Sequence, residues 1–219
     1  MDYNKRIEHA FNDWAATYEE DVIPKLMQRG YNYSELAKTI TSYIPSEIGI
    51  QEPVLELGIG TGVLGKWVKD IRPDINIDGL DISLEMIKRA KEKQIYNNIY
   101  LGSADEHIFD TKRHFVYSAF MFHSVGNQKA LLDSIAESLY DNGILVLVDL
   151  IPNLKLLAGD LNFNAHSVEY EHGAPAMYKT CGELVELFEN SPFEIVAIQK
   201  LGISKDYNHY LFVLKKGEV

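Results

Sequence analysis

The chain has 219 residues, with 46% apolar and 24% charged residues, which is typical of one ordinary globular α/β domain. Its formal net charge of −11 argues against a nucleic-acid partner, because affinity for nucleic acids depends largely on lysine and arginine. A single cysteine, Cys181, excludes an intramolecular disulfide and fits a reducing compartment. With no signal segment and no apolar run near about 20 residues, we expect a cytoplasmic protein without a membrane span.

The first part of the chain carries two apolar patterns at helical spacing. Ser34 is a suitable N-cap for a helix that runs to about Ile44, where Pro45 ends it. An earlier helix is predicted from one apolar face, formed by Ile7, Phe11, Trp14 and Tyr18. We expect residues 1–45 to form a helical cap on the main domain.

A glycine-rich turn follows the first predicted strand. Residues 54–57 are mostly apolar, and the helical pattern resumes at residues 63–71. Between them, Gly58, Gly60 and Gly62 stand at alternate positions. A strand that turns through glycines into a helix presents backbone N–H groups to a crevice, which predicts a site for a nucleotide-like ligand.

The acidic residue before these glycines distinguishes between ligands. Glu56 is unfavourable beside a pyrophosphate but suits an ammonium or sulfonium cation, and the spacing differs from the dinucleotide fingerprint G-x-G-x-x-G. The segment ELGIGTG resembles the first motif of class I S-adenosylmethionine-dependent methyltransferases. The resemblance implies S-adenosylmethionine as cofactor and S-adenosylhomocysteine as product. Its methionine end would be held by Glu56, Gly58, Gly60, Thr61 and Gly62.

Two later strand ends predict the rest of the cofactor site. Asp81 ends the second strand, roughly 20 residues beyond the glycine turn, where an acidic residue can accept both ribose hydroxyls. The segment after the third strand, residues 99–101, resembles the adenine motif of the family. That resemblance implies Asp105 for the adenine amino group and the Ala104 backbone beside it. Either Ile82 or Ile108 would pack on the adenine face.

The loop after the fourth strand, residues 114–120, is expected to face both cofactor and substrate. It lacks the motifs of amide-, adenine- and pyrimidine-methylating enzymes, and the Mg²⁺ ligands of catechol-type enzymes are missing, so no metal is predicted. Phe120, Met121 and His123 would face the reaction centre. His123 is the candidate general base, although it can equally shape the pocket wall, and displacement from a sulfonium does not require a base.

The second half of the chain completes the predicted sheet. Asn127 caps a helix that runs to about residue 140, and residues 144–148 form the fifth strand. Residues 152–180 are read as a substrate-side insertion whose aromatic residues line a pocket; its His166, Glu169 and His172 match no metal spacing. Thr180 and Glu183 form a capping box. Residues 193–199 and 207–214 are predicted as an antiparallel terminal pair.

The segment FNDWAATY, residues 11–18, resembles the entry segment of quinone- and sterol-methylating enzymes, which implies that Tyr18 closes over the ligand. The whole chain, residues 1–219, is thus read as one Rossmann-like domain: a mostly parallel seven-stranded sheet, helices on both faces, an N-terminal helical lid and a cofactor core at residues 53–149. We expect methyl transfer to a small molecule by a monomer or homodimer. An NAD(P)-dependent oxidoreductase, a catalytically silent S-adenosylmethionine-binding regulator and a protein-methylating enzyme are the alternatives.

Overall fold

After a helical N-terminal segment, strands and helices alternate along the chain. The computed structural model describes residues 2–46, 48, 52–152, 168–169, 173–203 and 207–218. The helices are α1 (Tyr3–Trp14), α2 (Tyr18–Gln28), α3 (Tyr33–Thr41), α4 (Val63–Ile71), α5 (Leu84–Glu92), α6 (Gln128–Ser138) and α7 (Cys181–Glu189), with a 3₁₀ turn at Phe122–Ser124. The strands are β1 (Val54–Leu57), β2 (Ile77–Asp81), β3 (Ile99–Leu101), β4 (Arg113–Ala119), β5 (Leu139–Pro152), β6 (Val168–Glu169), β7 (Pro175–Ala176), β8 (Phe193–Ile203) and β9 (Tyr207–Lys216).

The main sheet has seven strands in the order β3-β2-β1-β4-β5-β9-β8. Strands β1 to β5 pair in parallel, whereas β9 is antiparallel to both β5 and β8. The predicted sheet with an antiparallel last strand is confirmed. Because β1 lies between β2 and β4, the strand order switches here, and a crevice opens at the carboxyl ends of β1 and β4.

Both faces of the sheet are covered by helices. On one face, residues of β1, β4 and β5 such as Leu55, Val116 and Leu145 pack against α6 and α7. On the other face, their neighbours, such as Val54 and Phe115, pack against α3 and α4. This alternation follows from the two-residue period of a strand, and it leaves the strand ends as the open edge.

The N-terminal cap differs from the prediction in three ways. The predicted single helix through Tyr18 is two helices, because the chain turns at residues 15–17 and α2 begins at Tyr18. The N-cap of α3 is Asn32 rather than Ser34, since the Asn32 side chain accepts a hydrogen bond from the Glu35 N–H. Helix α3 also ends at Thr41, before Pro45. The cap therefore contains an additional helix, α2, which sequence periodicity did not indicate.

The helix before the fifth strand is also shorter than expected. It ends at Ser138, and β5 begins at Leu139, where it already pairs with Arg113 of β4. The turn predicted before the fifth strand appears as an irregularity in the pairing of β4 with β5. Asn142 lies there in the left-handed region, at φ 64°. The caps Asn127 and Thr180 are confirmed. Of the predicted insertion, Phe163, His166, Tyr170 and His172 lie outside the described residues.

Candidate active site

Three adjoining cavities lie at the open edge of the sheet. The large cleft has a volume of about 590 Å³ and lies between α1 and the ends of β1, β2 and β4. The glycine pocket, about 300 Å³, lies over the turn after β1, and the aromatic pocket, about 370 Å³, lies under α1 and α2. Tyr18 lines all three cavities, and Phe120 lines both the large cleft and the aromatic pocket. The three spaces therefore meet at Tyr18.

The predicted cofactor residues divide between two of these cavities. The glycine pocket is lined by Glu56, Gly60 and Thr61. Gly58 lines both this pocket and the large cleft. The other predicted residues of the large cleft are Asp81, Ile82, Ala104, Phe120 and Met121. Gly62 lines neither cavity: a Cβ there would lie 3.2 Å from Ala90 of α5, so this glycine permits helix packing instead.

The glycine turn has the close geometry that the sequence predicts. Gly58 has φ +68°, and a Cβ on it would lie 2.6 Å from Met121 Cγ. Gly60 has φ +52°, and a Cβ on it would lie 3.8 Å from Tyr18 Cε1. A side chain at Gly58 would displace Met121 from the wall of the cleft, so glycine keeps this end of the cleft open.

Glu56 is buried beneath the glycine pocket. Its Oε2 accepts hydrogen bonds from Tyr96 Oη at 2.7 Å and Tyr117 Oη at 3.0 Å. Burial raises the pKa of the Glu56 carboxyl to about 8, more than these two hydrogen bonds lower it, and the nearby Asp81 charge adds to the increase. Glu56 is therefore neutral at pH 7 until a cation compensates for its burial.

Asp81 links the glycine turn to the next helix. Its Oδ2 accepts from the Gly60 N–H and its Oδ1 from the Ser83 N–H, both at 2.8 Å. Burial raises the pKa of the Asp81 carboxyl to about 6, against the lowering effect of these hydrogen bonds. The carboxylate lies at the wall of the large cleft, where it can accept further hydrogen bonds.

Helix α1 is attached to this same loop by Asn12, a residue that the sequence analysis missed. The Ser83 hydroxyl donates to Asn12 Oδ1 at 2.7 Å, and the Glu85 N–H donates to the same oxygen at 3.2 Å. The signal was available, since Asn12 stands inside the recognised segment FNDWAATY. Its amide positions the cap directly over the strand end that carries Asp81.

The predicted adenine end is only partly assembled as expected. Ile82 and Ala104 line the large cleft, whereas Ile108 is 82% exposed, so of the two isoleucines only Ile82 lies at the cleft. Asp105 lines none of the three cavities: its carboxylate accepts from the Ser103 hydroxyl and from the Asn127 N–H. A residue not predicted, Ser124, lines the cleft with a buried hydroxyl that has no hydrogen-bond partner among the described residues.

Phe120 is placed by an unusual backbone conformation. It has φ +59°, uncommon for an aromatic residue, and follows the last residue of β4. Its N–H donates to Val148 O at 2.8 Å, which continues the sheet pairing by one residue. Such conformations cluster at functional sites, and here the turn places Phe120 between the large cleft and the aromatic pocket.

His123 faces the aromatic pocket rather than the large cleft. Its Nδ1 lies 2.5 Å from Asp149 Oδ1, and its ring stacks on Tyr178 at a centroid distance of 5.0 Å. A carboxylate only accepts hydrogen bonds, so Nδ1 carries the proton of this contact. This pair could not be predicted from the sequence, because nothing local connects residues that lie 26 positions apart.

Among the described residues, no group of His, Cys, Asp or Glu has an arrangement that could hold a metal ion. No helix within the described ranges is long and apolar enough to cross a membrane.

Comparisons with known proteins identify the family. A family model described as a methyltransferase domain matches residues 27–198. Malonyl-[acyl-carrier protein] O-methyltransferase 2 of Ilyobacter polytropus is 24% identical over 96% of this chain and 78% of its own length. Demethylmenaquinone methyltransferase of Thermotoga maritima is 24% identical over 66% of this chain and 71% of its own.

Two further matches widen the comparison. Ribosomal RNA small subunit methyltransferase C of Aliivibrio fischeri is 26% identical over 87% of this chain, which spans only 53% of that protein. Among solved structures, the DhpI–SAH complex superimposes with a TM-score of 0.75 at 15% identity, covering 99% of this chain and 98% of the other. The match to the family model covers most of the chain and confirms the class that the ELGIGTG motif predicts: the chain belongs to the methyltransferase domain family, as an S-adenosylmethionine-dependent methyltransferase.

Proposed function

We propose that the protein transfers the methyl group of S-adenosylmethionine to a small-molecule acceptor bound in the aromatic pocket. One observation carries this proposal: Tyr18 and Phe120 line both the large cleft and the aromatic pocket. A donor in the cleft and an acceptor in the pocket would therefore meet at these two side chains. Close apposition of the reacting atoms supplies much of the rate in such a displacement.

The residues of the cleft suit the cofactor. A buried carboxylate (Asp81) and an orphan hydroxyl (Ser124) are hydrogen-bonding groups for a ribose and a polar ring edge. Ile82 and Ala104 would contact the adenine, and Glu56 with the glycine turn would hold the methionine end. When bound, the cofactor supplies a methyl group carried on a sulfonium, and a neutral thioether is the leaving group.

His123 would serve as the proton acceptor. The contact with Asp149 fixes the orientation of the ring, and in the neutral imidazole Nε2 would be the basic nitrogen. The bound cofactor would supply the methyl group, and His123 would take the proton that the acceptor atom loses when it is methylated. Tyr18 would act by position, closing over both ligands.

The lining of the aromatic pocket and the charge of the protein support a small acceptor. The pocket is lined mainly by apolar and aromatic side chains with a few polar groups, as is common for small-molecule sites. The net charge of −11 is unfavourable for RNA, although one relative is named for ribosomal RNA and this chain spans about half of it. The single cysteine supports a cytoplasmic location.

Transfer of radiolabel tests the proposal. The protein is incubated with methyl-labelled S-adenosylmethionine and cell extract, which is then separated into small-molecule, protein and RNA fractions. We expect label in the small-molecule fraction and little with His123→Gln. Label in RNA or protein would overturn the small-molecule acceptor. Absence of transfer, with S-adenosylhomocysteine still bound, would favour the regulatory alternative.

A further inference from the structure

The aromatic pocket contains one feature that methyl transfer alone does not require. Arg29, the C-cap residue of α2, lines this pocket. The other described residues of the wall, apart from Tyr18 and His123, are apolar or indole side chains: Phe11, Trp14, Val22, Leu26, Phe120 and Leu150. A guanidinium that faces an apolar wall is costly unless an anion compensates for its desolvation.

The backbone of Arg29 is held closely against the sheet. Its N–H donates to Leu26 O at 3.0 Å and Lys25 O at 3.2 Å. A Cβ on Gly202 of β8 would lie 2.9 Å from Arg29 O and 2.7 Å from the Tyr31 ring, so only glycine permits this contact. Tyr31 in turn contacts His209 of β9 through its hydroxyl. The backbone at the end of α2 is therefore held against β8, and Arg29 starts from a defined position beside the pocket.

Arg29 has no ion-pair partner in the described part of the chain, and Asp149, whose charge also acts on Tyr31, pairs with His123 instead. The protein has 32 acidic residues, yet no carboxylate of the described residues forms an ion pair with Arg29. His209 does not add a second cation, since burial and the Arg29 charge lower its pKa to about 3. Tyr31 does not supply an anion, because burial raises its pKa well above the ordinary value.

We propose that the acceptor is an amphiphilic acid: a molecule with an apolar body and a carboxylate or similar oxyanion that pairs with Arg29. This inference rests on the proposed role of the aromatic pocket as the acceptor site. Arg29 lines this pocket but not the large cleft, whereas Tyr18 and Phe120 line both. The anion therefore anchors the acceptor, and a separate atom of the same molecule receives the methyl group. Arg29 is a positioning residue in this account.

Two fluorescent dyes test the inference. Anilinonaphthalene sulfonate is an apolar anion, and phenyl-naphthylamine has the same aromatic body without the sulfonate. Both are titrated into full-length protein saturated with S-adenosylhomocysteine, so that the cofactor cleft is filled. The variants are Arg29→Met, which keeps the apolar stem, and Arg29→Lys, which keeps the charge. Lys25→Met is the matched control, because Lys25 lies on the same helix but lines none of the three cavities.

We expect the sulfonate to bind the wild type at least about tenfold more tightly than the neutral dye, the gain typical of a charge-assisted hydrogen bond. Arg29→Met should abolish the difference, Arg29→Lys should retain part of it, and Lys25→Met should not change it. Equal affinity of the two dyes for the wild type, unchanged sulfonate binding by Arg29→Met, or no saturable sulfonate binding would overturn the inference. If Arg29→Met does not fold, the difference in affinity between the two dyes for the wild type still tests the inference.

The cofactor step separates this test from the proposed function. Failure of S-adenosylhomocysteine to bind would contradict the methyltransferase site and is seen before any dye is added. Once an acceptor has been identified by radiolabel transfer, Arg29→Met should raise KM for it while kcat changes little. A drop in kcat at constant KM would contradict a positioning role.

Discussion

His123 Nδ1 lies 2.5 Å from Asp149 Oδ1, a contact that joins the turn after β4 to the end of the neighbouring strand β5. Both side chains are buried, and the ring of His123 also stacks on Tyr178. The contact sets the tautomer of the imidazole and holds it at the wall of the aromatic pocket.

Replacement of this histidine tests its role as a base. His123→Gln should lower kcat by roughly 10²–10⁴-fold, the usual contribution of a general base, while the affinity for S-adenosylhomocysteine stays unchanged. Asp149→Asn should lower kcat by a comparable factor, because an amide in this position can hold the imidazole in the wrong tautomer. Steady-state kinetics across pH would measure both. Turnover equal to the wild type at every pH would remove His123 from catalysis.

Asp81 provides the corresponding test of cofactor binding. Asp81→Asn should weaken S-adenosylhomocysteine binding by about 1.5–3 kcal/mol, the contribution of hydrogen bonds to a charged group. Titration calorimetry measures this loss. Asp110→Asn is the control, since Asp110 is exposed and lines none of the three cavities. Equal affinity of the two variants would mean that Asp81 holds only the glycine turn.

The buried carboxyl of Glu56 predicts a pH dependence of cofactor binding. Its pKa is about 8 in the free protein, against 4.5 ordinarily, so the group must lose its proton to pair with the cofactor ammonium. Cofactor affinity should therefore rise with pH up to about pH 8, by at most about tenfold per unit. Glu56→Gln should bind more weakly and show a shallower profile. An unchanged profile in this variant would assign the dependence to Asp81, whose pKa is about 6.

The raised pKa of Glu56 also makes the free energy of unfolding of the free protein depend on pH. In the folded state the Glu56 carboxyl binds its proton more tightly than in the unfolded state. The stabilisation from this group is complete below pH 4.5 and is lost as pH rises toward about 8. In urea titrations between these values, Glu56→Gln should therefore lose less stability with increasing pH than the wild type. Parallel curves would contradict the shift.

A buried ion pair elsewhere in the sheet predicts a large structural effect. Asp78 Oδ2 accepts from Arg113 Nη2 at 3.1 Å, and both side chains are almost fully buried. Asp78→Asn should lower the free energy of unfolding by about 3–5 kcal/mol, because it leaves an uncompensated buried cation. Asp74→Asn, which removes the partner of Arg72 at the surface, should cost less than about 1 kcal/mol. Urea denaturation that gives similar losses for both would contradict this account.

Two substitutions of Tyr18 test whether its ring covers the ligands or its hydroxyl takes part in the reaction. Its ring lies over the glycine turn and meets Trp14 edge-on, with the ring centroids 4.9 Å apart. Its hydroxyl interacts with Tyr33. Tyr18→Phe should retain most of the turnover, whereas Tyr18→Ala should lose both cofactor affinity and kcat because the three cavities would merge. If Tyr18→Phe is as impaired as Tyr18→Ala, the hydroxyl itself takes part in the reaction.

The regular part of the fold was predictable from local signals. The strand from Val54, the turn at Gly58 and the caps Asn127 and Thr180 each depend on residues within a few positions of one another. The same holds for Asp81 at the end of β2. By contrast, α2 contains Pro24, which interrupts the helical signal, and neither this helix nor Arg29 was anticipated.

The parts of the site that the sequence did not reveal depend on contacts between distant segments. The pairs His123–Asp149 and Asn12–Ser83 join residues 26 and 71 positions apart, which no periodicity connects. Asp105 was expected at the adenine, but the structure directs its carboxylate to Ser103 and Asn127. A lone aspartate in a loop is a weak signal, because many loop aspartates bind the backbone around them.

We propose that the glycine turn, Asp81 and Glu56 form the site for S-adenosylmethionine. Titration calorimetry of the purified protein with S-adenosylhomocysteine and, separately, with NADH is the decisive measurement. We expect micromolar binding of S-adenosylhomocysteine and no binding of NADH. Binding of NADH alone would contradict this proposal and favour the oxidoreductase alternative, and binding of neither would leave the fold without this chemistry.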